Sequence, residues 1–323
     1  MPTDYQTRSL KWPLTLHRFL LSFRRRDDWH RHPIRKSLRY LALAMTAPAA
    51  HARWLTLLDS SEAFRLAVRR DSRLLERWQH RSINLRFWAR QRLSILASHY
   101  QHLKSLLPEA SLYRLYAEGE WPMASDTTKD GHLIQLLLAL PVVKTHEGEL
   151  NIIIRIPQCA QLYAMTVTLD PGHDRLLIGC LQGPSTADGL ELVKMVTRDC
   201  HGLRPKNLLL SAAFALAKVA GLRRVMGVSN QAHAWSRSAS VQASYDTFWQ
   251  ESGGLLGRDG FFDLGGHEPH RDELDVSSKR RAAFRQREQL RHSLVRQLGR
   301  SFPKRPPALR SPTQSAQLAM AAG

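Results

Sequence analysis

Cysteine is scarce: Cys159, Cys180 and Cys200 are the three in 323 residues. An odd number with no CxxC or zinc-type spacing argues against a disulfide framework and against a metal centre, and it fits a reducing compartment. Acidic residues are also few. Twenty-eight Asp and Glu face 47 Lys and Arg, a formal net charge of +19, which favours phosphate-rich or otherwise anionic partners without choosing among them. No apolar run is long enough to span a bilayer. GxSxG, HExxH, Walker and CxxC signatures are all missing, so hydrolase and metalloenzyme readings have no support in the spacing.

What the chain has is enough apolar content, 43% hydrophobic residues, for an ordinary globular core. Residues 1–30 read as a basic amphipathic segment: Leu14, Leu16, Phe19, Leu20 and Phe23 precede Arg24, Arg25 and Arg26. That face suits the protein's own core or the phosphates of a membrane surface. Residues 31–120 show helical spacing throughout, and His99 and Tyr100 in RLSILASHYQHL read as a hydrogen-bonded core pair. In residues 121–300 the period changes. HLIQLLLALPVV, ELNIIIRIPQ, LYAMTVTLD and RLLIGCLQG are short strands separated by turns, an antiparallel meander of about four strands.

The most strongly signalled stretch is residues 201–230, HGLRPKNLLLSAAFALAKVAGLRRVMGVSN. A basic turn opens a long apolar helix at Pro205, Gly221 closes it, and Val225 to Val228 follow as a buried strand. The first free amides of that helix, with Gly202, Arg204 and Lys206, make the best-placed anion site in the chain. Beyond it, YDTFW reads as irregular packing between glycine turns, residues 277–302 as one highly basic helix, and residues 301–323 as a disordered tail rich in Pro, Ser and Ala. The basic helix supports nonspecific contact with nucleic acid and no more. The predicted fold class is α+β, with a helical N-terminal layer on a mainly antiparallel sheet crossed by helices.

Acid–base candidates are Glu147 and Glu149 in the THEGEL turn, His201, His233, Tyr245, Asp246 and Glu251. Each has an ordinary structural role open to it, a solvated turn carboxylate or a helix cap.

Seven ordered motifs point to a family. They are HY at 99, EGEL at 147, IGxLQG at 178, HGLRPK at 201, GVSN at 227, YDxFW at 245 and SKRRA at 278. Together they resemble the VirK/YbjX family of Gram-negative bacteria over roughly residues 30–300. The resemblance implies a domain of unknown function that supports envelope integrity, virulence and resistance to antimicrobial peptides. The implied location is cytoplasmic or peripheral at the inner membrane. The order of strand, helix, basic turn, long helix and strand is also similar to GNAT-type N-acyltransferases. That second resemblance implies acyl-CoA as cofactor, bound at Gly202, Arg204 and Lys206, with His201, Glu147 or Tyr245 handling protons. The competing expectation is a non-enzymatic basic protein that docks on anionic lipid, RNA or a protein partner.

Overall fold

The computed structural model describes residues 33–303, apart from 142–145, 185–187, 236–244 and 270–271. The amphipathic segment read over 1–30, and the tail from residue 304, lie outside the described residues.

The chain begins with helices α1 (Pro33–Met45), α2 (Pro48–Asp59) and α3 (Glu62–Arg70), then a 3-10 stretch (Ser72–Gln79), α4 (Ala89–Leu106) and α5 (Glu109–Glu118). Local chemistry sets these boundaries. Glu62 opens α3 and Arg69 and Arg70 close it, in accord with the helix dipole. The side chain of Glu109 accepts from the Ser61 hydroxyl at 2.7 Å and the Glu62 amide at 2.9 Å, capping α3 from a distant part of the chain. Gly119, left-handed at φ +83°, ends α5 and turns the chain directly into the sheet.

Eight strands follow among the described residues: β1 (Glu120–Thr127), β2 (Leu133–Ala139), β3 (Leu150–Ile156), β4 (Cys159–Asp170), β5 (Arg175–Gln182), β6 (Arg224–Val228), β7 (Leu255–Leu256) and β8 (Phe261–Asp263). Their order is β1-β2-β3-β4-β5-β6-β8-β7. All neighbours are antiparallel except β5 and β6, which run parallel. Helices α6 (Gly189–Asp199) and α7 (Pro205–Val219) make the crossover between that pair, and α8 (Tyr245–Glu251) and α9 (Ser278–Ser301) complete the fold. The α+β architecture and the four-strand meander, β2 to β5, are as predicted.

Helix α7 is buried on nearly all sides, through Leu208, Leu209, Leu210, Ala212, Ala213, Leu216 and Ala217. It packs on β3 to β6 and beneath α9, and α4 packs on β4. Trp54, Phe64, Leu96 and Leu103 of the helical layer join the same core as Ile152, Val167 and Ile178 of the sheet. A separate cluster gathers Leu177, Met226 and Val228 with Ile83, Phe87 and Ile95. Successive strand residues face opposite sides, so β5 and β6 are covered on both faces.

Two sequence expectations need correction. YDTFW is helix α8 rather than irregular chain, because the Asn230 side chain accepts the Tyr245 amide at 2.9 Å and the Asp246 carboxylate accepts the Asn230 amide at 2.7 Å. His99 and Tyr100 are buried side by side but not bonded to each other: His99 Nδ1 accepts the Leu169 amide at 3.1 Å, and the Tyr100 hydroxyl donates to Glu149. No helix among the described residues is long and apolar enough to cross a membrane.

Candidate functional site

The parallel pair β5–β6 is hydrogen-bonded only from Arg175 with Arg224 to Ile178 with Gly227. Beyond that point β5 continues to Gln182, while Val228 pairs on its other side with Phe261. The two strands part toward their carboxyl ends, the end of a parallel pair at which α/β sheets bind ligands, and the residues gathered there, Cys180, Tyr245 and His233, are buried. Trp249 of α8 packs against the parting. Its indole donates to the Val228 carbonyl at 2.9 Å, and its ring lies so close to Gly227 that a Cβ there would stand 2.5 Å from it.

Two segments meet where the strands part. The first is the turn of residues 146–149, which crosses the sheet over glycine. A Cβ on Gly179 would come within 1.8 Å of the Glu147 carbonyl oxygen, so this approach requires glycine in the strand. The second is the start of α8. The Tyr245 hydroxyl lies 3.4 Å from Cys180 Sγ, and the Tyr245 ring stands 5.2 Å from that of His233. His233 Nε2 is 3.3 Å from a Glu147 carboxylate oxygen. The structure thus brings together Glu147 and Tyr245, and adds His233 and Cys180.

The electrostatics divide these groups. Burial, with help from Cys180 and Glu147, raises the Tyr245 hydroxyl above the usual phenol range, so it stays a neutral donor. The Cys180 thiol is pushed up to about 12 by burial and then by Glu147, and is therefore no nucleophile at neutral pH. His233 is 1% exposed, and its Nδ1 accepts the Trp235 amide at 3.2 Å, which leaves the proton on Nε2; that buried nitrogen lies 3.3 Å from Glu147 without a hydrogen bond to it. Glu147, Cys180 and His233 place their ligand atoms within 4.8 Å of one another, a spacing that could hold a metal. Nε2 of His233 has no free lone pair in that tautomer, so the trio fits proton handling better than metal binding.

The turn is braced from beneath. Glu149, expected in a solvated turn, is buried, and accepts from Arg77 Nε at 2.7 Å and from the Tyr100 hydroxyl at 3.1 Å. Arg77 also donates to the Gly148 carbonyl at 2.8 Å. Burial opposes the Arg77 charge, but Glu149 outweighs it and holds the guanidinium above its ordinary range. Ile83 supports the other side. It sits at φ +63°, a strained conformation for a β-branched residue, donates its amide to the His146 carbonyl at 2.6 Å, and precedes Asn84, which bridges to His233.

The predicted anion site lies at the start of α7, which faces the carboxyl ends of β5 and β6 because the crossover runs back along them. Pro205 occupies the first helical turn. Beside it is a groove of about 400 Å³ lined by Tyr163, Lys194, Arg198, Arg204 and Lys206. Lys206 Nζ stands 4.5 Å from the centre of the Phe248 ring and 3.5 Å from Glu251, which ties the helix start to α8. Gly202, at φ +85°, and His201, at φ +55°, form the left-handed turn that ends α6. Gly202 donates to the Thr197 carbonyl at 2.8 Å. His201 thus has a turn role, and no contact brings it to Glu147 or Tyr245. His233 was within reach of the sequence as one of several candidates. Cys180 was not, since an apolar strand gave no sign of the residue that would meet it.

The family model described as "Protein of unknown function (DUF535)" matches residues 29–299. Uncharacterized protein YbjX of Escherichia coli K12 is 26% identical over 284 residues, 85% of each chain. An uncharacterized protein of Haemophilus influenzae is 29% identical over 206 residues, 62% of this chain and 68% of its own. A protein named "Membrane protein LapB" of Mannheimia haemolytica is 28% identical over 167 residues, 51% of this chain and 69% of its own. No solved structure matches. The chain therefore belongs to the DUF535 family, the VirK/YbjX group of proteins of unknown function.

Proposed function

We propose that the chain transfers an acyl group from acyl-CoA to an amine or hydroxyl acceptor where β5 and β6 part. The observation that carries this reading is the convergence of Glu147, His233 and Tyr245 where those parallel strands part. The anionic part of the donor would lie beside the turn of Gly202 at Arg204 and Lys206, where basic side chains favour phosphate, and its pantetheine arm would enter between the strands.

The chemistry needs little else. Glu147, beside His233, accepts the proton of the attacking nucleophile. A bond forms between nucleophile and thioester carbon, the carbon–sulfur bond breaks, and the departing sulfur ends with the proton that Glu147 took up. The neutral Tyr245 hydroxyl donates a hydrogen bond to that sulfur as charge develops on it. An acceptor from the bacterial envelope, and a part in virulence and antimicrobial-peptide resistance, belong to this reading through the family resemblance alone.

Thermal melting with CoA and acetyl-CoA tests it. The wild type is expected to be stabilised, and the Arg204→Glu, Lys206→Glu double variant is not. Absence of a shift in the wild type, or an equal shift in the variant, rules the reading out. Tyr245→Phe and Glu147→Gln should keep the shift while slowing release of CoA thiol.

A further inference from the structure

Residues 146–149 have two sides. Glu147 turns to Cys180 and His233, while His146 lines a second cavity of about 270 Å³ between α1 and the 3-10 stretch. Lys36 and Arg39 reach it from α1, Arg73 and Arg77 from the 3-10 stretch, and the His80 ring closes it 6.0 Å from that of His146. Lys36 and Arg39 are three residues apart on a helix and so share a face. The framework beneath is fixed. Buried Tyr40 bonds His51 Nε2 at 2.8 Å, Trp78 donates to His51 Nδ1 at 3.1 Å, and Gln79 donates to the Tyr40 carbonyl at 3.1 Å. These bonds dock α1 on the 3-10 stretch.

The walls are electropositive. Asp71 and Glu76 also line the cavity. Asp71 is held by Arg73 at 2.7 and 3.0 Å, and Glu76 stands 3.2 Å from His80. Even with Glu149 set against Arg77, permanent cations outnumber carboxylates here. At His146 burial lowers the pKa, Arg77, His80 and Arg73 lower it further, and Glu147 opposes them. A cavity of this size is at the small end for ligand pockets, fit for a headgroup or small metabolite rather than a whole lipid chain. Guanidinium groups match phosphate geometry.

We propose that this cavity binds the phosphate group of a phosphomonoester.

The experiment uses the full chain and two probes of the same chemistry: glycerol 3-phosphate in solution, followed by calorimetry, and phosphatidylcholine vesicles containing phosphatidic acid, followed by flotation. Wild type is compared with Arg39→Glu and with Lys36→Glu, Arg39→Glu. Arg39 is exposed, so these variants should fold, as circular dichroism will show. Glycerol 3-phosphate is expected to bind the wild type, and the double variant to lose about ten-fold or more in affinity, with CoA stabilisation retained. Binding of the vesicles alone assigns the site to a lipid headgroup, and of the soluble probe alone to a metabolite. No binding of either probe by the wild type, or equal binding by the double variant, overturns the proposal. Phosphate binding that depends on Arg39 in a protein indifferent to CoA refutes the transfer reading and leaves the anion site.

Discussion

Glu147 and Gly179 are in backbone contact: the carbonyl of the one occupies the space that a side chain on the other would fill. Gly179→Ala should therefore lift the turn of residues 146–149 off β5. We expect a loss of about 1–3 kcal/mol from overpacking, read by urea unfolding, and a larger loss of any CoA-dependent activity. An alanine variant with wild-type stability would mean that the turn can move aside freely.

Arg77 and Glu149 form the brace under the same turn, with side chains 19% and 3% exposed. Removing one partner leaves a buried charge, so Arg77→Met should cost on the order of 3–5 kcal/mol. Tyr100→Phe, which removes one hydrogen bond to Glu149, should cost about 1–2 kcal/mol. Equal losses in the two variants would contradict this ordering.

Two buried histidines set an acid limit. Burial lowers His51 from 6.5 to about 4, and burial with His102 and Arg77 lowers His99 from 6.5 to about 3. The unfolded chain takes up protons below 6.5 that the folded chain refuses, so their stability contribution is complete above that pH and is lost as pH falls toward 4 and 3. The effect is on the order of a few kcal/mol. Melting temperature against pH should fall across this window, and less steeply in His99→Gln; parallel curves would count against it.

Cysteine labelling separates the three thiols. Cys180 and Cys200 are both pushed up to about 12, chiefly by burial, whereas Cys159 is only partly buried. In the native protein iodoacetamide should modify Cys159 first, with the other two protected until unfolding. Early labelling of Cys180, detected by peptide mass analysis, would show an accessible thiolate where β5 and β6 part.

Helix α7 and strands β2 to β6 were legible because single local signals decide them: Pro205 at the helix start, Gly221 after its end, apolar runs bounded by turns. Strand β1 was not. As an edge strand it pairs only with β2, carries Glu120, Ser125 and Asp126, and has a register shift at Pro122, so neither composition nor alternation marks it. Helix α8 has seven residues and depends on Asn230 and on Trp249 reaching Val228, partners far off in sequence. The site was half legible for the same reason. Glu147 and Tyr245 stood out as polar residues in turns, but their meeting depends on a glycine in β5 and on where α8 docks.

The indole of Trp249 against Gly227 also bears on kinetics. The indole is wholly buried, so any widening between β5 and β6 at that point must displace it from the core. A chain of net charge +19 should draw in a polyanion at a rate that falls steeply with added salt.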